Sequence, residues 1–101
     1  MSAVVTLVTT FAEDFRSFSE TSNVDCLDTL CVLAAATRRI TCDLDTDRKA
    51  QAFLSAADKW RSATDAAHRP TDGRDHGTLV DRAREALDAA AFTFISIKWQ
   101  S

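Results

Sequence analysis

The chain has 101 residues, 46% of them apolar and 27% charged, with a formal net charge of −3. That length predicts one helical domain over 1–101 with a single core, and two glycines and one proline exclude a fold built on many tight turns. No apolar run approaches the roughly 18 residues that a membrane-crossing helix requires.

Four segments carry helical periodicity. The first covers residues 3–20, where Val4, Val8, Phe11, Phe15 and Phe18 recur at spacings of four and three along one face. Ser2 stands where a cap would. Residues 4–10 are rich in β-branched side chains and, taken alone, also suit a strand. The opening MSAVVTLVTTFA lacks a basic leader and runs straight into Glu13 and Asp14, so it is not read as a signal sequence.

The second segment covers 23–41. Ser22-x-x-Asp25 resembles a capping box, and the stripe is Cys26, Leu30, Leu33, Thr37 and Ile40. Between Leu30 and Ala36 the helix is apolar all round, which predicts the most buried helix of the four. Arg38 and Arg39 in its last turn suit the negative end of the helix dipole.

The third segment covers 46–69, with the stripe Ala50, Phe53, Ala57, Trp60, Thr64 and Ala67. Asp45 is the expected cap, and Asp47 favours the positive end of the helix. Arg61, Asp65 and Arg69 follow at i,i+4 spacing, a solvated face. Pro70 ends the helix by disfavouring helical geometry at Arg69. Residues 70–77 hold the only proline and both glycines, which marks a loop.

Thr78-x-x-Asp81 opens the fourth segment, 78–99, whose stripe is Val80, Ala83, Leu87, Ala90, Phe94 and Ile97. A second stripe of Phe92, Ile95 and Trp99 makes its end apolar on nearly every side. The fold expected is all-α, an antiparallel up-down four-helix bundle. The alternative is a helical core with short N- and C-terminal strands paired, FTFISIKW against AVVTLVT.

The chemical motifs are thin. Asp43-x-Asp45-x-Asp47 resembles the start of an EF-hand loop, but Arg48 stands where that loop needs glycine and Leu54 where it needs a closing carboxylate. His68, Asp72, Asp75 and His76 cluster around the loop without a standard zinc spacing. Cys26, Cys31 and Cys42 form no C-x-x-C pair and cannot converge on one ion from a straight helix. Cys26, near a helix N-terminus, is the best placed of the three for thiolate chemistry. Their odd number rules out a complete disulfide framework and fits a reducing, cytoplasmic setting. Neither a phosphate-cradling glycine loop nor a nucleophile elbow is present. Nucleic acid is disfavoured by the negative charge, by the absence of Tyr, and by the aspartates beside Arg38, Arg39, Arg48 and Lys49.

The expectation is therefore a non-enzymatic protein–protein interaction module without a cofactor or resident metal. Its partner is a protein, itself in a homodimer included, and it acts as an adaptor, a regulator or a small inhibitor of the virus or phage type. Phe92, Ile95 and Trp99 are the expected contact ridge, since Phe and Trp are typical interface anchors; the alternative is a broad stripe that fits a deep core, with Trp99 folded back over the bundle. Arg38, Arg39, Asp43, Asp45 and Asp47 form a charged secondary patch. Charge is uneven as well: residues 1–47 hold eight acids and three bases, residues 48–101 seven acids and nine bases, so the acidic half either packs beside the basic half or faces a basic partner. The competing expectation is a bundle that binds a small ligand or a metal through residues 68–76 or its interior.

Overall fold

The computed structural model describes residues 3–67 and 76–97, and the account of the structure concerns these. They form four α-helices: α1 (Ala3–Thr21), α2 (Val24–Ile40), α3 (Leu44–Ala67) and α4 (His76–Ile95). The helices pack as a bundle in which α1 lies against α2, α2 against α3 and α3 against α4, while α4 meets α1 much less extensively.

No strand occurs among the described residues, so the alternative with paired terminal strands is not supported. The β-branched start of α1 is helical because the helix can satisfy its threonines. The Thr9 and Thr10 hydroxyls donate to the Val5 and Thr6 carbonyls at 2.8 and 3.1 Å. Burial of Val8, Phe11, Phe15 and Phe18 then outweighs a few tenths of a kcal/mol of local propensity per residue. Thr93 in α4 behaves the same way, donating to Ala89 O.

The core is aromatic on α1 and α3. Phe11 meets Phe53 of α3 edge-on at 4.8 Å and Phe94 of α4 at 4.5 Å. Phe18 meets Trp60 at 5.6 Å, also edge-on. Such pairs each add about 0.5–1.5 kcal/mol to what area burial gives. Above Phe18 sits the guanidinium of Arg84, 4.5 Å from the ring centroid and 5.9 Å from that of Trp60. Arg84 also donates to Ser22 Oγ at 2.9 Å and to Asp88 at 3.1 Å, tying α4 to the end of α1.

α2 is not the most buried helix. Its buried residues are Leu27, Leu30, Ala34 and Thr37, whereas Val32 is 67% exposed and Val24 and Ile40 are exposed too. Cys26 and Leu33 are only partly buried against the core. An apolar belt around a helix can be covered only where neighbours touch it, and α2 is covered by α1 and α3 alone to any extent.

Both short connections use one hydrogen-bond relay. Thr21 Oγ1 accepts from Asn23 N–H, and Asn23 Oδ1 in turn accepts from Asp25 N–H at 2.9 Å. Twenty residues on, Thr41 Oγ1 accepts from Asp43 N–H, and Asp43 accepts from Asp45 N–H and from the Thr46 hydroxyl. The caps are therefore Asn23 and Asp43, not Ser22 and Asp45, and α3 begins at Leu44 rather than 46. Ser22 instead ends α1. Its φ of 52° lies in the left-handed region, and its N–H donates to Phe18 O at 2.7 Å, the αL helix stop. α4 begins at His76, ahead of Thr78, and regular helix gives way to a turn at Ser96. The expected end of the third helix at 69, the loop residues 70–75 and the end of the fourth helix at 99 lie outside the described residues, as does Ser2.

Ser22 yields a clean test. Ser22→Ala and Ser22→Gly both remove the hydroxyl that Arg84 reaches, but only glycine takes a left-handed φ at no steric cost. Ser22→Gly should be the more stable of the two by about 1 kcal/mol in urea denaturation; equal stabilities would show that the turn carries no backbone strain.

Candidate functional site

Phe92 and Ile95 stand on the seam between α1 and α4. Phe92 is 64% exposed and touches Phe15 edge-on with a centroid separation of 5.7 Å. Ile95 is partly buried against the core. Between them and α1 lies a hollow of about 260 Å³, lined by Ala12, Phe15, Arg16, Ser19, Phe92 and Ile95. Trp99, the third member of the expected ridge, lies outside the described residues.

The hollow follows from the thin packing of this seam. α1 turns Ala12 and Ser19, one heptad apart, towards α4, and neither is large enough to fill the gap beside Phe15. Phe94 of α4 and Ile97 just beyond it are buried in the core, and Phe92, off that stripe, faces out. The α1 half of the site is absent from the sequence-based list of contact residues. Its signal was present: first and last helices are neighbours in many four-helix bundles, and Ala12 and Ser19 are the small residues on that side.

The charged group stands on a different seam, between α2 and α3. Arg38 Nε donates to Asp47 at 2.9 Å. Asp45 pairs with Lys49 one turn on, and Asp43 caps α3. Each aspartate of the triplet thus has its own partner, and Arg39 joins Arg38, Asp47, Ala35 and Leu54 around an open hollow of about 340 Å³. Arg61, expected on a solvated face, reaches across to Asp28 of α2 and forms an ion pair. It lines the largest of these hollows, about 440 Å³ and widely open, with Trp60 and Val24.

Among the described residues no three His, Cys, Asp or Glu side chains are grouped to hold a metal ion. His68, Asp72 and Asp75 lie outside them. The cysteines are free thiols, with Cys26 and Cys31 half-buried and Cys42 exposed in the connection between α2 and α3. Burial pushes the Cys31 thiol up from its ordinary value, Asp28 adds to this, and Arg61 opposes it. Cys42 should therefore react with a thiol-specific reagent well before Cys31 at pH 7, read by mass mapping over time; modification of Cys31 first would contradict this packing.

Asp43 is the other shifted group. The Thr46 hydroxyl, before all else, holds its carboxyl below the ordinary 3.8, with help from the backbone N–H groups of Asp45 and Thr46. The unfolded chain takes up this proton at a higher pH than the folded one. The contribution is whole above pH 3.8 and is lost as pH falls through the folded-state value. Asp43→Asn keeps a capping acceptor without the titration, so urea midpoints measured down the acid limb should fall less steeply than in the wild type; identical slopes would mean this cap carries no pH dependence.

The fold and surface thus define a small all-helical bundle, and no helix in the described residues is long and apolar enough to cross a membrane. No protein-family model, curated protein or solved structure matches the sequence.

Proposed function

We propose that the chain is a non-enzymatic protein–protein interaction module that meets its partner through the α1–α4 seam. The observation that carries this is Phe92, a large apolar ring left 64% exposed beside an apolar-lined hollow. An isolated exposed apolar residue is ordinary, but a ring and a hollow in one patch have the form of an interface anchor and its socket. Trp99 belongs to the same stripe in the sequence and extends the patch in this reading. Arg38, Arg39, Asp43, Asp45 and Asp47 are secondary, because most of their charge is already answered within the α2–α3 corner. Acting as adaptor, regulator or small inhibitor, and doing so in the cytoplasm, are parts of the same proposal, the latter supported by three free cysteines.

The reading includes an up-down-up-down course for the helices. Along α1, residues 18, 15 and 11 lie beside residues 84, 92 and 94 of α4, so numbering rises in opposite senses. Arg38 with Asp47, and Asp28 with Arg61, support the same opposition between α2 and α3. Connections of two or three residues leave consecutive helices little choice but to reverse.

Phe92→Asp tests the site. If Phe92 belongs to an interaction surface, this variant keeps its helical circular dichroism and loses no more than about 1.5 kcal/mol, the worth of one aromatic pair. Phe11→Asp, in the core, should not fold. Collapse of Phe92→Asp would place that ring in the core and remove the proposal. Light scattering on the wild type over a tenfold concentration range then tells self-association from a foreign partner.

A further inference from the structure

We infer that the occupant of the α1–α4 seam is a cationic amphipathic helix of another protein, its apolar side chains set against Phe92 and Ile95. This deepens the interaction-module reading and rests on it. Glu13 and Glu20 stand one turn before and one turn after Arg16 on α1, and Arg16 lines the hollow. Glu85 stands two turns before Phe92 on α4. All three are exposed, and they are the only glutamates in the chain.

None of the three has an ion pair or hydrogen-bond partner among the described residues, and the same is true of Asp14 on α1 and Asp81 on α4. Asp28, Asp45, Asp47 and Asp88 are each held by a base. Against these carboxylates the two helices offer two guanidiniums without such a partner, Arg16 and, three residues before Glu85, Arg82. Arg84 is spent on Asp88, Ser22 and the rings of Phe18 and Trp60. An apolar strip is thus edged by more carboxylates than the neighbouring arginines offset.

Charge decides between the possible occupants. A second copy would bring the same three carboxylates up to these, and like charges across an interface select against a partner. A helix with lysine or arginine flanking an apolar stripe answers both the strip and its edges. Size agrees: α4, at 20 residues, offers a track of about 30 Å.

The probe is an amidated, fluorescently labelled peptide of about 18 residues made of leucine and lysine, with leucines at i, i+3, i+4 and i+7. Its control carries glutamate in place of every lysine. Titrated with the full chain and read by anisotropy, the lysine peptide should bind and the glutamate peptide should not. Raising salt from about 50 to about 500 mM should weaken binding about tenfold or more. Phe92→Ser, and separately the triple variant Glu13→Gln, Glu20→Gln, Glu85→Gln, should each weaken it about tenfold, in the range of an interface anchor or a few rim charges. Equal binding of both peptides, no binding of either, or an affinity indifferent to both variants overturns the inference. Light scattering on the same samples separates it from the reading beneath. Self-association that Phe92→Ser abolishes keeps the seam as an interface but replaces the cationic helix with a second copy. Loss of helical signal in Phe92→Ser puts that ring in the core and defeats both, while the triple variant, altered only at exposed positions, still reports on charge.

Discussion

Phe11 touches α3 and α4 at once, with the ring centres of Phe53 and Phe94 both within 5 Å of its own. A chain of this length has little core to spare, and this one concentrates it in a file of rings from Phe11 through Phe15 and Phe18 to Trp60. Everything else is arranged around that file. α2 contributes smaller residues and leaves its outer side to solvent. α4 supplies Leu87, Ala91 and Phe94 below the rings, with Ile97 just past its end, and closes the far end with Arg84. The cation there does two jobs. Its flat face covers Phe18, and its edge ties Ser22 and Asp88 together, so the end of the aromatic file is shielded by a charged group that remains partly in water.

The stripes of α1 and α3 were legible because large aromatic residues at helical spacing leave few alternatives. Val8, Phe11, Phe15 and Phe18 are all buried as the spacing implies, as are Ala50, Phe53, Ala57 and Trp60, whereas Val4 and Thr64 are half-buried and Ala67, at the end of α3, is exposed. α2 was legible as a helix but not in its rotation. Its belt of Leu30 to Ala36 offers apolar side chains in every direction, and which ones are covered depends on neighbours that one segment cannot name. The caps were misplaced by one or two residues for a related reason. Ser22, Asn23, Asp43 and Asp45 are all competent capping residues, and the relay through Thr21 and Thr41 that selects among them appears only with the backbone in place.

Half of the candidate site was legible. Phe92 and Ile95 stood out as apolar residues beyond what one core face needs. The opposite wall, Ala12 and Ser19, consists of small residues whose importance is the room they leave, and no side chain advertises a gap. The charged patch stood out for the opposite reason, since clustered aspartates and arginines are conspicuous in a sequence whether or not they answer one another in space.

The uneven closure of the four seams also has a mechanical meaning. α1 with α2, and α3 with α4, are broadly packed pairs joined along the α2–α3 line, whereas the α1–α4 edge is held chiefly by Phe11 on Phe94, Phe15 on Phe92 and Arg84 on Phe18. The two pairs lie like the covers of a book, with its spine at α2–α3 and a light clasp opposite. The rings of Phe11 and Phe18 nonetheless cross between the covers to Phe53 and Trp60, so parting the clasp would also expose the aromatic file. The thin edge is therefore a surface gap over a shared core, and the aromatic rings, not the clasp, keep the covers shut.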